Sequence, residues 1–239
     1  MPTSDSALTA ATAPSAAGPA STAGITVTTA RGRYHHGDLR EALVVAATAL
    51  AREGGPEAVV LREVTRRVGV SANAAYRHFT DRDALLEAVV IEGLAQMAAV
   101  MEAELATVRA RHPQRRARAR LRAGGTGYVR FACAEPGLFR ATFLVPSDLR
   151  RAHNPLARGA GGRTPFELLS DVLDELVAAG VVSSEQRPGA ELLAWSAVHG
   201  LAVLVVNGPL RELAPEAVEA TTQRLLGMVD AGLGDPARE

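Results

Sequence analysis

Apolar residues in this chain recur at helical rather than strand spacing from about position 39 onward. Leu39, Leu43, Ala46, Ala47 and Leu50 form one stripe, which Gly54-Gly55-Pro56 brings to a stop. Val64 and Val68 lie four apart, Gly69 offers a backbone able to leave the helix, Val70 plugs the corner and Ser71 can cap the next helix. Ala75 and Phe79 then give a second short helix its buried face. Residues 60–79 therefore predict two helices joined by a turn tight enough for a helix-turn-helix. The second helix is left with Ala72, Asn73, Ala74, Tyr76, Arg77 and His78 outward, a small and polar set suited to a major groove.

Thr80 or Asp81 caps a long helix in which Leu85, Leu86, Val89, Val90, Leu94, Met97 and Met101 face a core, running toward His112-Pro113. Seven arginines from Arg109 to Arg122, without an acidic residue between them, read as a solvated helix face ending at Gly124-Gly125. A further helix stops at Glu135-Pro136-Gly137 and restarts. Residues 147–163, with Asn154-Pro155 and three glycines, read as a mobile loop. Thr164-Pro165-Phe166-Glu167 opens a helix with a capping box and proline at its first position. The last two helices are expected at about Ala190–Val206 and from Pro215 to about Ala231. Aromatics are sparse and Gly and Pro fall mostly at boundaries between these segments, so the expected fold is all-α, and no apolar run approaches eighteen uninterrupted residues, so nothing is expected to span a membrane.

The sequence resembles the TetR-type transcriptional regulators. The run Tyr34-His35-His36-Gly37-Asp38-Leu39-Arg40, the hairpin at 60–79, and Tyr76-Arg77-His78-Phe79 followed by Asp81-Arg82-Asp83-Ala84-Leu85-Leu86 carry the likeness over about sixty residues. Ala75 departs from it, standing where the family more often has a larger apolar side chain. The resemblance implies an N-terminal three-helix DNA-binding domain over 37–97, a C-terminal helical ligand-binding and dimerisation domain over 98–233, and a homodimer on a palindromic double-stranded operator. Residues 1–30, rich in Ala, Thr, Ser and Pro, read as a disordered tail. Trp195-Ser196-Ala197-Val198-His199-Gly200 resembles a Trp-His-Gly signature of one C-terminal subclass.

The 239 residues carry no net charge, so a nucleic-acid site has to be local. Expected DNA contacts are Arg31, Arg33, Arg62, Ser71, Ala72, Asn73, Ala74, Tyr76, Arg77, His78 and Arg82, with Asn73 and Tyr76 reading bases and Tyr76, His78 and Arg82 reaching phosphates. His35 and His36, adjacent and beside arginines, fit a phosphate-facing or helix-supporting role better than a metal pair. Phe131, Phe139, Phe143, Trp195 and His199, with Met97 or Met101, are expected to border an apolar cavity for a small hydrophobic or aromatic effector, neutral or weakly charged. Leu192, Leu193, Val203, Leu204, Leu225, Leu226 and Val229 are expected to form the dimer interface. No catalytic constellation, metal set or cofactor motif is apparent, and the single cysteine, Cys133, excludes an internal disulfide and fits a cytoplasmic protein. The combined reading is a repressor released by its effector. A ligand-dependent activator or corepressor-dependent regulator shares the same features, and a helical small-molecule carrier that does not bind DNA is the alternative of another class.

Overall fold

The computed structural model describes residues 36–144 and 153–233, with side chains from Leu39 onward, and all regular structure among them is helical. Nine α-helices follow one another: α1 His36–Gly54, α2 Leu61–Val68, α3 Ala72–Tyr76, α4 Arg82–Ala106, α5 Pro113–Ala134, α6 Pro136–Phe143, α7 Pro165–Ala178, α8 Ala190–Val206 and α9 Pro215–Leu233. Arg31, Arg33 and His35 lie outside the described residues.

Local chemistry places most of these boundaries. Gly55 and Gly69 take left-handed φ of 76° and 75°, which lets the chain turn sharply after α1 and α2. The Ser71 side chain accepts from the Ala74 amide at α3, and Asp81 accepts from Ala84 at α4, satisfying amides with no partner inside their helices. Thr164 and Glu167 form the reciprocal capping box at α7, with Pro165 in the first turn. α8 has the limits read from the sequence, while α1 starts earlier and α9 runs two residues further.

α4 is the spine of the molecule. It packs on α1 near its start and on α5, α6 and α7 along its length. Its length and mean hydropathy of 1.7 would suit a membrane span, but Leu85, Val89, Met97, Ala98 and Met101 are buried inside the protein, which accounts for its apolar character. Two readings of chain breaks are corrected. α4 ends at Ala106, short of His112-Pro113, where α5 begins. α5 then continues through Gly124 and Gly125, and glycines serve close packing along it: a Cβ at Gly127 would lie 2.8 Å from Cα of Met101 in α4, and one at Gly125 would lie 2.3 Å from Cδ2 of Leu226 in α9. The described part of the expected mobile loop is docked on α4, with Ala157 fully buried beside Val90 and Leu94, and the Gly161 amide donating to Glu102.

The arginine run is only partly a solvated face. Arg118 and Arg122 both reach the buried carboxylate of Asp230 on α9, and Arg120 lies 2.8 Å from Glu175 on α7. These three side chains pin α5 to its neighbours, a role invisible without the partner helices.

Candidate nucleic-acid interface and cavity

The hairpin is held on α1 by contacts on both sides of the turn. Leu43, Ala47, Val64, Ala75 and Phe79 are buried together, and Ala75 is completely enclosed despite its small size. Arg67 donates to Glu53 of α1 at 2.8 and 2.6 Å and shares Glu63 with Arg66, which holds the Glu63 carboxyl down at about 2. The Arg40 guanidinium stands 5.1 Å from the centre of the Phe79 ring, tying α1 to the end of the second hairpin helix. α3 ends at Tyr76, earlier than the apolar spacing to Phe79 predicts; with its inner face so fixed it presents Ala72, Asn73 and Tyr76 to solvent, Arg77 is exposed just past its end, and Tyr76 is 54 % exposed. Ala74 and His78 lie at the edges of this face, half-buried.

Two expected contacts have structural duties as well. Ser71 is exposed, but its hydroxyl oxygen is engaged as the cap of α3. Arg82 donates from Nε to the Val59 carbonyl at 2.8 Å and from Nη2 to Pro56, bracing the short 3-10 turn between α1 and α2. Only its Nη1 side, 3.7 Å from Asp83, remains open to a phosphate. Arg62 is exposed at the first turn of α2.

In the body, a cavity of about 80 Å³ lies between α4, α5, α6, α7, α8 and α9. Its walls include Leu94, Met101, Leu121, Tyr128, Phe143, Phe166, Leu169, Trp195 and Val198, so Phe143, Trp195 and Met101 stand where the sequence reading placed them. Phe131, Phe139, Met97 and His199 do not line it. Phe131, Phe139 and Met97 are core residues, 2 % exposed or less, because their positions on α5, α6 and α4 turn them toward neighbouring helices rather than the void. Tyr128 and Phe166, absent from the sequence reading, also line the cavity: Tyr128 is on the same helix as Phe131, and Phe166 sits in the capping segment of α7. A wider depression of about 680 Å³ opens between α5, α8 and the start of α9, lined by Thr126, Arg130, Cys133, Val206, Leu213 and Glu219 among others; its mixed lining makes it a poorer match for an apolar guest.

His199 backs the cavity wall. Tyr128 Oη lies 2.8 Å from His199 Nδ1 and accepts a hydrogen bond of 3.2 Å from Trp195 Nε1. Because the Tyr128 oxygen already accepts from Trp195, pairing every polar atom makes the tyrosine the donor to Nδ1, leaving the histidine proton on Nε2. Burial raises the Tyr128 pKa far above that of a free phenol and lowers that of His199, so both are neutral in this setting. The ring of Phe143 lies 5.8 Å from Tyr128 and 5.0 Å from Phe139, so the wall is a continuous aromatic block.

That block reaches the hairpin through α6. Gly137, at the start of α6, packs on the last turn of α1 so closely that a Cβ there would lie 2.3 Å from the Arg52 carbonyl oxygen and 2.4 Å from that of Ala51. Arg52 also donates to Glu135 at 3.0 Å and to Gln96 of α4 at 2.6 Å. One eight-residue helix thus touches the cavity with Phe143 and the hairpin support with Gly137.

Comparison with known proteins agrees with this geometry at both ends of the chain. Residues 43–89 match the family model for bacterial regulatory proteins of the tetR family, and residues 121–229 match that for the tetracyclin repressor-like C-terminal domain. The chain belongs to the tetR family. It is accordingly a DNA-binding transcriptional regulator with a helix-turn-helix head. Among solved structures, a protein of unknown function from Rhodococcus sp. RHA1 is 28 % identical, with a TM-score of 0.65 over 85 % of this chain and all of that one. The transcriptional regulator FadR from Bacillus subtilis, in complex with stearoyl-CoA, shares the fold at 16 % identity, with a TM-score of 0.60 over 80 % and 98 % of the two chains. A TetR-family regulator from Pectobacterium atrosepticum does so at 21 % identity, with a TM-score of 0.58 over 85 % and 98 %. A search of curated proteins returned no match.

The expected dimer residues of this regulator separate into two groups. Leu192, Leu193 and Leu204 of α8 are exposed, at 51 %, 68 % and 44 %. Leu226 is buried against Gly125 within the same chain, and Val203, Leu225 and Val229 pack partly against that chain's core, with Val229 on the cavity wall. Leu226 is therefore corrected from interface to interior. The large apolar side chain exposed on α9 is Met228, 65 % accessible, two positions along and on the opposite side of the helix.

Proposed function

We propose that this regulator is a homodimeric repressor acting in the cytoplasm on a palindromic operator, released when a small hydrophobic or aromatic ligand enters the body cavity. Residues 37–97 serve as the reading head and 98–233 as the sensing and dimerising body. Asn73 and Tyr76 contact bases, Ala72 and Ala74 supply apolar contacts, and Arg62, Arg77, His78 and the open side of Arg82 meet the backbone. The apolar stripe of Leu193 and Leu204 on α8 flanks Gly200, where a Cβ would meet nothing within 4 Å. A second copy's helix can approach closely there, and Met228 of α9 extends the apolar surface.

The observation that carries the reading is the bridge made by α6. A cavity of about 80 Å³ is smaller than typical ligand sites of roughly 300–1,000 Å³, so a guest has to push its walls apart. Phe143 is one of those walls, and α6 has no room to yield at its other end, where Gly137 already rests on α1. Widening the cavity therefore displaces the support of the hairpin. Two heads matched to major-groove faces about 34 Å apart lose that match on small displacements. FadR, which shares this fold, is solved in complex with stearoyl-CoA.

Footprinting on DNA beside the gene would supply the operator, and titration of that duplex with and without ligand tests the proposal. Weaker operator binding with ligand supports it. Tighter binding makes the protein corepressor-dependent or an activator, and failure to prefer any duplex over random DNA at near-physiological salt would overturn the DNA-reading role.

A further inference from the structure

Resting on the cavity reading above, we infer that the ligand is an amphipathic acid whose anionic group pairs with Arg120 while its apolar body lies between Phe143, Phe166 and Trp195. Arg120 is the one charged side chain among the described residues that line the cavity, whose surface is otherwise almost wholly apolar. The polar atoms of Tyr128 and Trp195 are already bonded to each other, so they offer a guest little. Arg120 differs from them. Its Nε is buried and makes no hydrogen bond, because its N–H is not aimed at the Glu175 carboxylate that lies 2.8 Å away.

A buried donor left without a well-directed acceptor is costly, and a guanidinium gains most from a carboxylate that meets its fork squarely. Glu175 can give up its place cheaply, since its side chain is 38 % exposed and can turn to water, whereas that of Arg120 is only 21 % exposed. α5 itself carries no carboxylate. Asp230, on the other flank, is engaged by Arg118 and Arg122. Nearer the start of α5, exposed Arg115 and Arg116 have no acidic partner among the described residues, and Arg116 precedes Arg120 by one turn on the same flank. The potential at this end of the cavity therefore favours an incoming anion. A neutral guest, by contrast, leaves the misdirected Arg120–Glu175 pair as it is. This departs from the neutral or weakly charged guest expected from the sequence, where the helix bearing Arg120 read as solvent-facing.

The test uses the full-length protein at pH 7.5 and two matched pairs of probes, octanoate with 1-octanol and 4-phenylbutyrate with 4-phenyl-1-butanol, each titrated by Trp195 emission. Within a pair the apolar body is constant and only the charge differs. The acid is expected to bind about tenfold more tightly than its alcohol. In Arg120→Gln that preference should fall to within about twofold, with alcohol binding little changed, and in Glu175→Gln acid binding should tighten. Equal affinities for acid and alcohol in the wild type would overturn the inference while leaving the cavity intact. A preference that survives Arg120→Gln would also overturn it. Should neither pair bind, the cavity reading itself fails; Glu175→Gln, at a half-exposed position, supplies the check if Arg120→Gln does not fold.

Discussion

Replacing Gly137 by alanine tests whether α6 transmits the state of the cavity to the head. The new Cβ would stand 2.3 and 2.4 Å from two carbonyl oxygens of α1, where van der Waals contact requires a separation larger by about 1 Å. Both neighbours are main-chain atoms, so no rotamer change relieves the overlap and one helix has to move. Overpacking of this kind costs about 1–3 kcal/mol. In a chain of this size the melting temperature should fall by about 2–4 °C for each kcal/mol lost. The expected displacement pushes α1 as a bound ligand would. Operator affinity of the ligand-free variant, measured by anisotropy of a labelled duplex, should therefore drop about tenfold, equivalent to about 1.4 kcal/mol. The further drop on adding ligand should shrink. Leu173→Ala is the control, since Leu173 is fully buried in α7 and away from α1, so it should lower the melting temperature by a similar or larger amount. If Gly137→Ala loses stability but keeps the operator affinity and ligand response of the wild type, the contact is packing alone and the relay has to be sought elsewhere.

Asn73→Ala should weaken operator binding by about 1–3 kcal/mol and relax preference at one position, and unchanged affinity and selectivity in a duplex-variant titration would make Asn73 a solvated surface residue. Leu193→Glu, at a position 68 % exposed, should shift sedimentation toward monomers and reduce operator binding, whereas a monomeric wild type at micromolar concentration would remove the interface. His199 binds its proton less readily when folded than at its ordinary value of 6.5, so the unfolded chain protonates first as pH falls. Stability present above pH 6.5 is then lost as the pH drops from there through the lower folded value. Melting curves from pH 7.5 to 5.5 should show a decline that is smaller in His199→Asn, and equal pH dependence in both proteins would show that His199 is not its source.

What could be read from the chain follows how local the signal was. Ser71, Asp81, the Thr164–Glu167 box and Gly69 act within a few residues, so the hairpin and the helix starts were legible. The outward set on α3 and the turn after it was legible too, since Ala75 and Phe79 mark the side that turns inward. Periodicity could not tell which of several buried flanks borders a void. Phe131 and Tyr128 are both buried on α5, yet only Tyr128 reaches the cavity. Leu226 and Met228 posed the same problem on α9, where one faces the chain's own core and the other solvent. Gly124-Gly125 read as a break because glycine disfavours helix in isolation. Close contact with Leu226 outweighs that preference, and it depends on a helix a hundred residues away. Arg120 was hidden for a similar reason, as its partner Glu175 and the cavity come from other elements.

α4 also sets a mechanical scale. A helix of 25 residues is about 37 Å long, and it runs unbroken from the hairpin's edge to the centre of the body. Turning such a rod by about five degrees about its inner end carries the outer end through about 3 Å, close to the 3.4 Å rise of one base pair. A rotation small enough to leave the interior contacts near the pivot nearly unchanged is thus large enough to take a side chain from one base pair to the next. On the proposed release, the fixed spacing of the DNA converts a few degrees of rotation into a mismatch.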